Sequence, residues 1–269
     1  MRFSQAPSGV TAAYRLGWTV LLLLPVVLLR CRAELRRVTA RDLVLCGASG
    51  VLLALHFLTW FESLKRTSVA SSTVLVSTEV IFTALGFALF LHGKIPRLGV
   101  WAILLAFGGS ALLALSGGGG AGELSGNLLA LAAASAAAVY TLIGRIQRGH
   151  LSTTVYTFLT YLACFLTLLL GTAAAGTPLT GYGGREWLIG LALAVLCTLL
   201  GHSLFSWCLK YLSPSYVSAA KLCEPVFSSL AAIPLFGEVP GPLQLAGGAA
   251  VLGAVLLYTW AEREKTPAG

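Results

Sequence analysis

Nine stretches of this chain are each apolar over about the twenty residues a helix needs to cross the ~30 Å hydrocarbon core of a bilayer. They run over residues 8–29, 43–61, 68–91, 98–115, 124–144, 153–174, 187–209, 215–236 and 243–260. The connections between them are short and several carry turn residues, as in GGGGAGE at 117–123, TPLTGYGG at 177–184 and GEVPGP at 237–242. No soluble domain fits between spans. The expected fold is all-α, a polytopic membrane helix bundle.

Charge supports the same reading. Only 10% of the residues are charged, against about 25% in a soluble domain, so the outer surface has to face lipid. The net charge of +8 reflects topology rather than nucleic-acid binding, because no basic face with interleaved aromatics exists. When the loops are assigned alternately to two sides, twelve Lys and Arg fall on one and four on the other. The positive-inside rule makes the twelve-residue side cytoplasmic and puts the C-terminus there. The expected location is the plasma (inner) membrane of a bacterium. The N-terminal MRFSQAPSGVTAAYR lacks a basic region followed by a short apolar core and a cleavage site, so no cleavable signal is expected. Cys31, Cys46, Cys164, Cys197, Cys208 and Cys223 form no CxxC pair and read as small apolar side chains.

The chain repeats itself. At an offset of 144 residues Gly93 meets Gly237 and Gly109 meets Gly253, while Ala102, Ala106 and Ser110 meet Ala246, Ala250 and Ala254. At an offset of 145, Glu79-Val80-Ile81-Phe82 meets Glu224-Pro225-Val226-Phe227, and Leu64-Lys65 meets Leu209-Lys210. One period holds five spans, an odd number, so the two copies cross the membrane in opposite senses. Inverted repeats of this kind are a mark of secondary transporters, in which two related halves rock around a site. The repeats are placed at 1–118, with four of five helices, and 124–261, with five. The missing counterpart of span 124–144 leads us to expect a further helix encoded upstream of Met1. The small-residue rows let helices approach closely, as internal packing or as a homodimer contact.

Ala219-Ala220-Lys221-Leu222-Cys223-Glu224-Pro225-Val226-Phe227, followed by Phe236-Gly237-Glu238 and a Gly-rich last helix, resembles the EamA-type branch of the drug/metabolite transporter superfamily. The resemblance covers the second repeat in full and the last four helices of the first. It implies two five-helix repeats and transport of small metabolites. The first repeat departs from the family pattern, with Glu79-Val80 where a proline is usual nearby and His92-Gly93-Lys94 where Gly-Glu is usual.

An ionisable side chain at mid-membrane costs roughly 2.5–3.5 kcal/mol on insertion scales, so each one needs a reason. Glu79, Lys221, Glu224 and Arg15 all interrupt spans. Placed around a cavity, Arg15 and Lys221 would neutralise an anionic or zwitterionic group, and Glu79 or Glu224 would take a cationic group or a proton. Two structural readings compete: Lys221 and Glu224, three residues apart, could pair with each other, and Arg15 could snorkel to the outer surface. Glu79 has no partner one turn away on its own span. Pro225 is expected to loosen the helix beside Glu224. Trp207 and Tyr140 are expected nearer the interior, lining a cavity. Trp60, Trp187 and Trp260 read as interface anchors, and His56 and His202 as core histidines.

No P-loop, HExxH, GxSxG or metal-ligand cluster is present. No catalytic residue, metal or cofactor is expected, and the chain does not read as an enzyme. The leading reading is a secondary transporter or exporter of small, amino-acid-like or other metabolites, working by alternating access with proton coupling. The alternatives are a non-transporting membrane scaffold or subunit, or a truncated, inactive transporter.

Overall fold

The structure is a computed structural model. It describes residues 6–67, 72, 75–115, 124–224, 226–227 and 241–263. Pro225, the Phe236-Gly237-Glu238 motif and most of the 117–123 and 237–242 turns lie outside the described residues. Those described are helical or connecting, with no strand among them.

The helices are α1 (Ser8–Arg30), α2 (Arg32–Leu35), α3 (Ala40–Arg66), α4 (Glu79–Phe90), α5 (Arg97–Leu115), α6 (Leu124–Gln147), α7 (Thr153–Ala174), α8 (Gly184–Leu193), α9 (Ser203–Cys208), α10 (Pro214–Lys221) and α11 (Pro242–Arg263), with a π-helical segment, Ala194–His202, joining α8 to α9. Among the described residues, five runs are long and apolar enough to cross a membrane: α1, α3, α6, α7 and the continuous stretch Gly184–Cys208. Shorter apolar helices occupy Leu75–Phe90, Arg97–Gly109 and Leu245–Ala261. The bundle is the polytopic all-α architecture that hydropathy predicts, and its third and eighth spans are interrupted, at Thr78 and after Lys221.

The chain divides into two compact units that cut across the sequence repeats. The first comprises Met1–Phe61 and Val139–Leu212, and the second Glu62–Ala138 and Ser213–Gly269. Each therefore draws helices from both of the repeats expected from the sequence.

In the first unit α1 packs against α7 and α8. Small residues set the spacing: a Cβ on Gly190 would lie 2.7 Å from Tyr14 Cβ, and one on Gly50 of α3 would lie 2.4 Å from the Thr160 carbonyl oxygen of α7. The end richer in basic residues is tied by polar contacts. Thr39 and Asp42 cap α3 reciprocally, with Asp42 N–H donating to Thr39 Oγ1 (3.2 Å) and Thr39 N–H donating to Asp42 Oδ2 (3.0 Å). Asp42 Oδ1 also takes Gln147 Nε2 at 3.2 Å and meets His150 Nε2 at 2.8 Å. Arg145 donates to the carbonyls of Leu209, Lys210 and Leu212, which a helix end otherwise leaves unbonded.

In the second unit α5 lies along α11. A Cβ on Gly109 would come within 2.8 Å of the Gly247 carbonyl oxygen and 3.0 Å of Ala250 Cβ, so small residues bring the two backbones together. Ala102, Ala106 and Ala254 join Val80, Leu222 and Tyr258 in one buried apolar cluster. The small-residue rows thus serve internal packing.

Candidate functional site

The sequence candidates divide between the units. Arg15, Tyr140 and Trp207 belong to the first, and Glu79, Lys221 and Glu224 to the second.

In the second unit α4 and α10, which belong to the third and eighth spans, meet through their ionisable residues. Both are interrupted at that point. The chain from Leu75 turns at Thr78, whose N–H donates to Leu75 O three residues back (3.2 Å) and whose carbonyl is shared between Ile81 N–H (2.9 Å) and Phe82 N–H (3.2 Å). Glu79 is then the first residue of α4. Lys221 is the last residue of α10, after which Leu222 and Cys223 turn with three-residue hydrogen bonds to Ala219 and Ala220 (both 3.1 Å). A carboxylate at a helix N-terminus and an ammonium at a helix C-terminus are each favoured by the helix dipole. They meet: Lys221 Nζ lies 2.6 Å from Glu79 Oε1, with side chains only 15% and 12% exposed. Ser218 Oγ donates to Glu79 Oε1 (3.4 Å) and to Thr83 Oγ1 (3.1 Å).

Spacing in the eighth span offers Glu224 to Lys221; the structure brings Glu79 of α4 to the ammonium. The turn after Lys221 carries Glu224 to an exposed position. Of the two carboxylates, Glu79 is largely buried in its ion pair with Lys221 and Glu224 is exposed.

In the first unit Arg15 does not snorkel. It is 8% exposed, its Nε donates to Thr198 Oγ1 at 2.7 Å, and its guanidinium carbon sits 4.7 Å over the Phe57 ring. Thr198 lies within the π-helical segment. Such wide turns occur disproportionately at functional sites. The same segment ends on His202, whose ring meets Phe57 edge-on (5.7 Å) and Tyr140 (6.5 Å). Tyr140, 5% exposed, shares a hydrogen bond with Ser206 Oγ (3.3 Å), and Tyr161 one with Ser203 Oγ (3.2 Å). Thr11, Ala12, Arg15, Phe61 and Leu193 line a cavity of about 140 Å³.

Trp207, expected toward the interior, is 49% exposed and packs on Tyr211 with ring centroids 5.0 Å apart. Trp187, expected as an anchor, is 45% exposed and stacks on Tyr14 at 4.2 Å. The Trp60 indole N–H is buried and finds no partner among the described residues. Sequence reading missed Thr198 and Phe57 as companions of Arg15, because nothing in an apolar run announces a π-helical turn.

Comparison with known proteins agrees with this architecture. The model of the EamA-like transporter family matches residues 2–115 and 124–260. Pseudopaline exporter CntI of Pseudomonas aeruginosa (strain UCBPP-PA14) is 24% identical over 207 residues, 77% of this chain and 72% of that protein. A probable terminal-alkyne amino-acid exporter of Streptantibioticus cattleyicolor is 28% identical over 233 residues, covering 82% and 75%. An uncharacterized transporter of Bacillus subtilis, YwfM, is 29% identical over 227 residues, covering 82% and 74%. A solved crystal structure superposes with a TM-score of 0.76 at 20% identity, over 95% of this chain and 89% of its own, a likeness of fold. A membrane helix bundle whose two halves both match one transporter model is an integral membrane transporter of small molecules, and the chain belongs to the EamA-like transporter family.

Proposed function

We propose that the protein is a secondary exporter of a small amino-acid-like metabolite across the bacterial plasma membrane, working by alternating access and driven by protons, with its C-terminus in the cytoplasm. The observation that carries this reading is the Glu79–Lys221 pair, set where two repeat-related helices are both interrupted. Broken helices place ionised groups and helix ends at the substrate and coupling-ion sites of secondary transporters.

Glu79 is the proton carrier and Lys221 its counter-ion. With Glu79 ionised the pair is neutral and the two helices are clamped. When Glu79 takes a proton, the ammonium loses its counter-charge in a largely buried place, which is costly. The arrangement then has a reason to change, and the proton supplies it. Glu224, at an exposed position, takes a cationic group such as a substrate amine. Arg15 and Tyr140 belong to the substrate path on the first unit. The exporter names of two relatives, one of them for an amino acid, support the substrate class.

The test is a metabolite profile of the medium from cells expressing the intact protein, the Glu79→Gln variant or neither. The proposal predicts excess of an amino-acid-like compound with the intact protein and a return toward the vector level with Glu79→Gln. Identical profiles for intact protein and vector would remove the exporter reading.

A further inference from the structure

Arg15 is a permanently charged group deep inside an apolar helix. It stands eight residues into α1, about 10 Å along the helix, with 8% of its surface exposed. Its Nε bond goes to a neutral hydroxyl, Thr198 Oγ1, and its face rests on Phe57. Both contacts fix the plane of the guanidinium. The hydroxyl is delivered by the π-helical segment: Thr198 Oγ1 also donates to Leu193 O five residues back (3.4 Å), and Ser203 Oγ donates to Thr198 O five residues on (3.2 Å). A π-helical turn is rare and less favourable than the α-helix it replaces, and here it sets Thr198 against α1. Arg15 also lines the cavity of about 140 Å³, whose other walls are Thr11, Ala12, Phe61 and Leu193. A planar fork of donors held in orientation at the wall of a small, mostly apolar cavity matches a carboxylate that carries a short apolar group.

We infer that this cavity is the carboxylate subsite of the transporter: Arg15 binds the substrate carboxylate, Thr198 and Phe57 orient the guanidinium, and Ala12, Phe61 and Leu193 receive a small apolar substituent. The inference rests on the transport reading for its biological meaning, but the binding can be measured without transport.

The full chain, purified in detergent, is titrated with millimolar butyrate and L-leucine, and in parallel with butyramide and L-leucinamide, which keep the shape and remove the negative charge. Ligand that binds the folded state raises Tm. The carboxylates are expected to raise it and the amides not. Arg15→Gln should abolish the rise. Arg15→Lys should weaken apparent affinity about tenfold, because an ammonium cannot replace the bidentate fork. Ala12→Leu, which fills the cavity and leaves Arg15 and Thr198 in place, should abolish it too, and it covers the case in which Arg15→Gln does not fold. Absence of any carboxylate-dependent rise in the intact protein overturns the subsite, as does an equal rise in Ala12→Leu. If Glu79-dependent export fails while Arg15-dependent binding holds, the transport reading falls and the subsite stands. If export is intact and no carboxylate binds, the subsite falls and the transport reading stands.

Discussion

Each unit holds ionisable groups inside apolar helices, and the two do it in different ways. In the first, Arg15 lies within an unbroken α1, bonded to a hydroxyl and resting on an aromatic ring. In the second, Glu79 and Lys221 sit at the ends of broken helices and neutralise each other at 2.6 Å. A charge held in place on a continuous helix by a hydroxyl and an aromatic ring suits recognition. A pair at helix interruptions can lose one charge to a proton and has hinges beside it, which suits coupling. Under the proposed function, the contrast separates binding from drive.

The contrast can be broken most forcefully at the pair. Removing one partner of a largely buried ion pair costs about 3–5 kcal/mol, so Glu79→Ala and Lys221→Ala should each lower thermal stability sharply in detergent. The double variant should recover part of the loss, since no lone buried charge remains. Equal losses in single and double variants would mean that the pair is not coupled.

Thr198→Val tests the other region. It keeps the shape and removes the acceptor of Arg15 Nε, and a hydrogen bond to a charged group contributes about 1.5–3 kcal/mol. Stability should fall by less than at the pair, and carboxylate affinity should fall with it. A variant as stable as the parent would show that Thr198 does not hold Arg15.

A smaller effect is expected at the end of α4. His92 adopts φ 50°, a left-handed conformation that side chains other than glycine adopt at a cost of about 1–2 kcal/mol. Gly93 cannot take a side chain there, because a Cβ would fall 2.2 Å from the Phe87 ring. His92→Gly should therefore stabilise the protein by about 1 kcal/mol, read as a rise in Tm. The smallest change is expected for Trp207→Leu: the ring is half exposed, and both stability within about 0.5 kcal/mol and export should be retained.

The membrane fold was legible in hydropathy, and the small-residue rows of α5 and α11 were legible as packing. The interruptions were also visible, since Glu79 and Lys221 break apolar runs that otherwise have little charge. Their pairing was not. Spacing on one helix favoured Lys221 with Glu224, and only the meeting of α4 with α10 brings Glu79 to the ammonium. Position along a span also misled at Trp207, because depth in sequence does not say which face of a helix turns outward. Arg15 was found by its charge, whereas Thr198 and Phe57 carried no signal. Their roles depend on the wide turn at Ala194–His202, which hydrogen-bond geometry reveals and residue type does not.

The central claim, that Glu79 couples protons to export, is tested most directly in proteoliposomes loaded with the exported compound and given a pH gradient. Coupling through Glu79 predicts that the intact protein shows pH-driven net efflux, and that Glu79→Gln loses it while still exchanging labelled for unlabelled substrate at equal pH. Efflux from Glu79→Gln that still responds to the gradient as the intact protein does would contradict it.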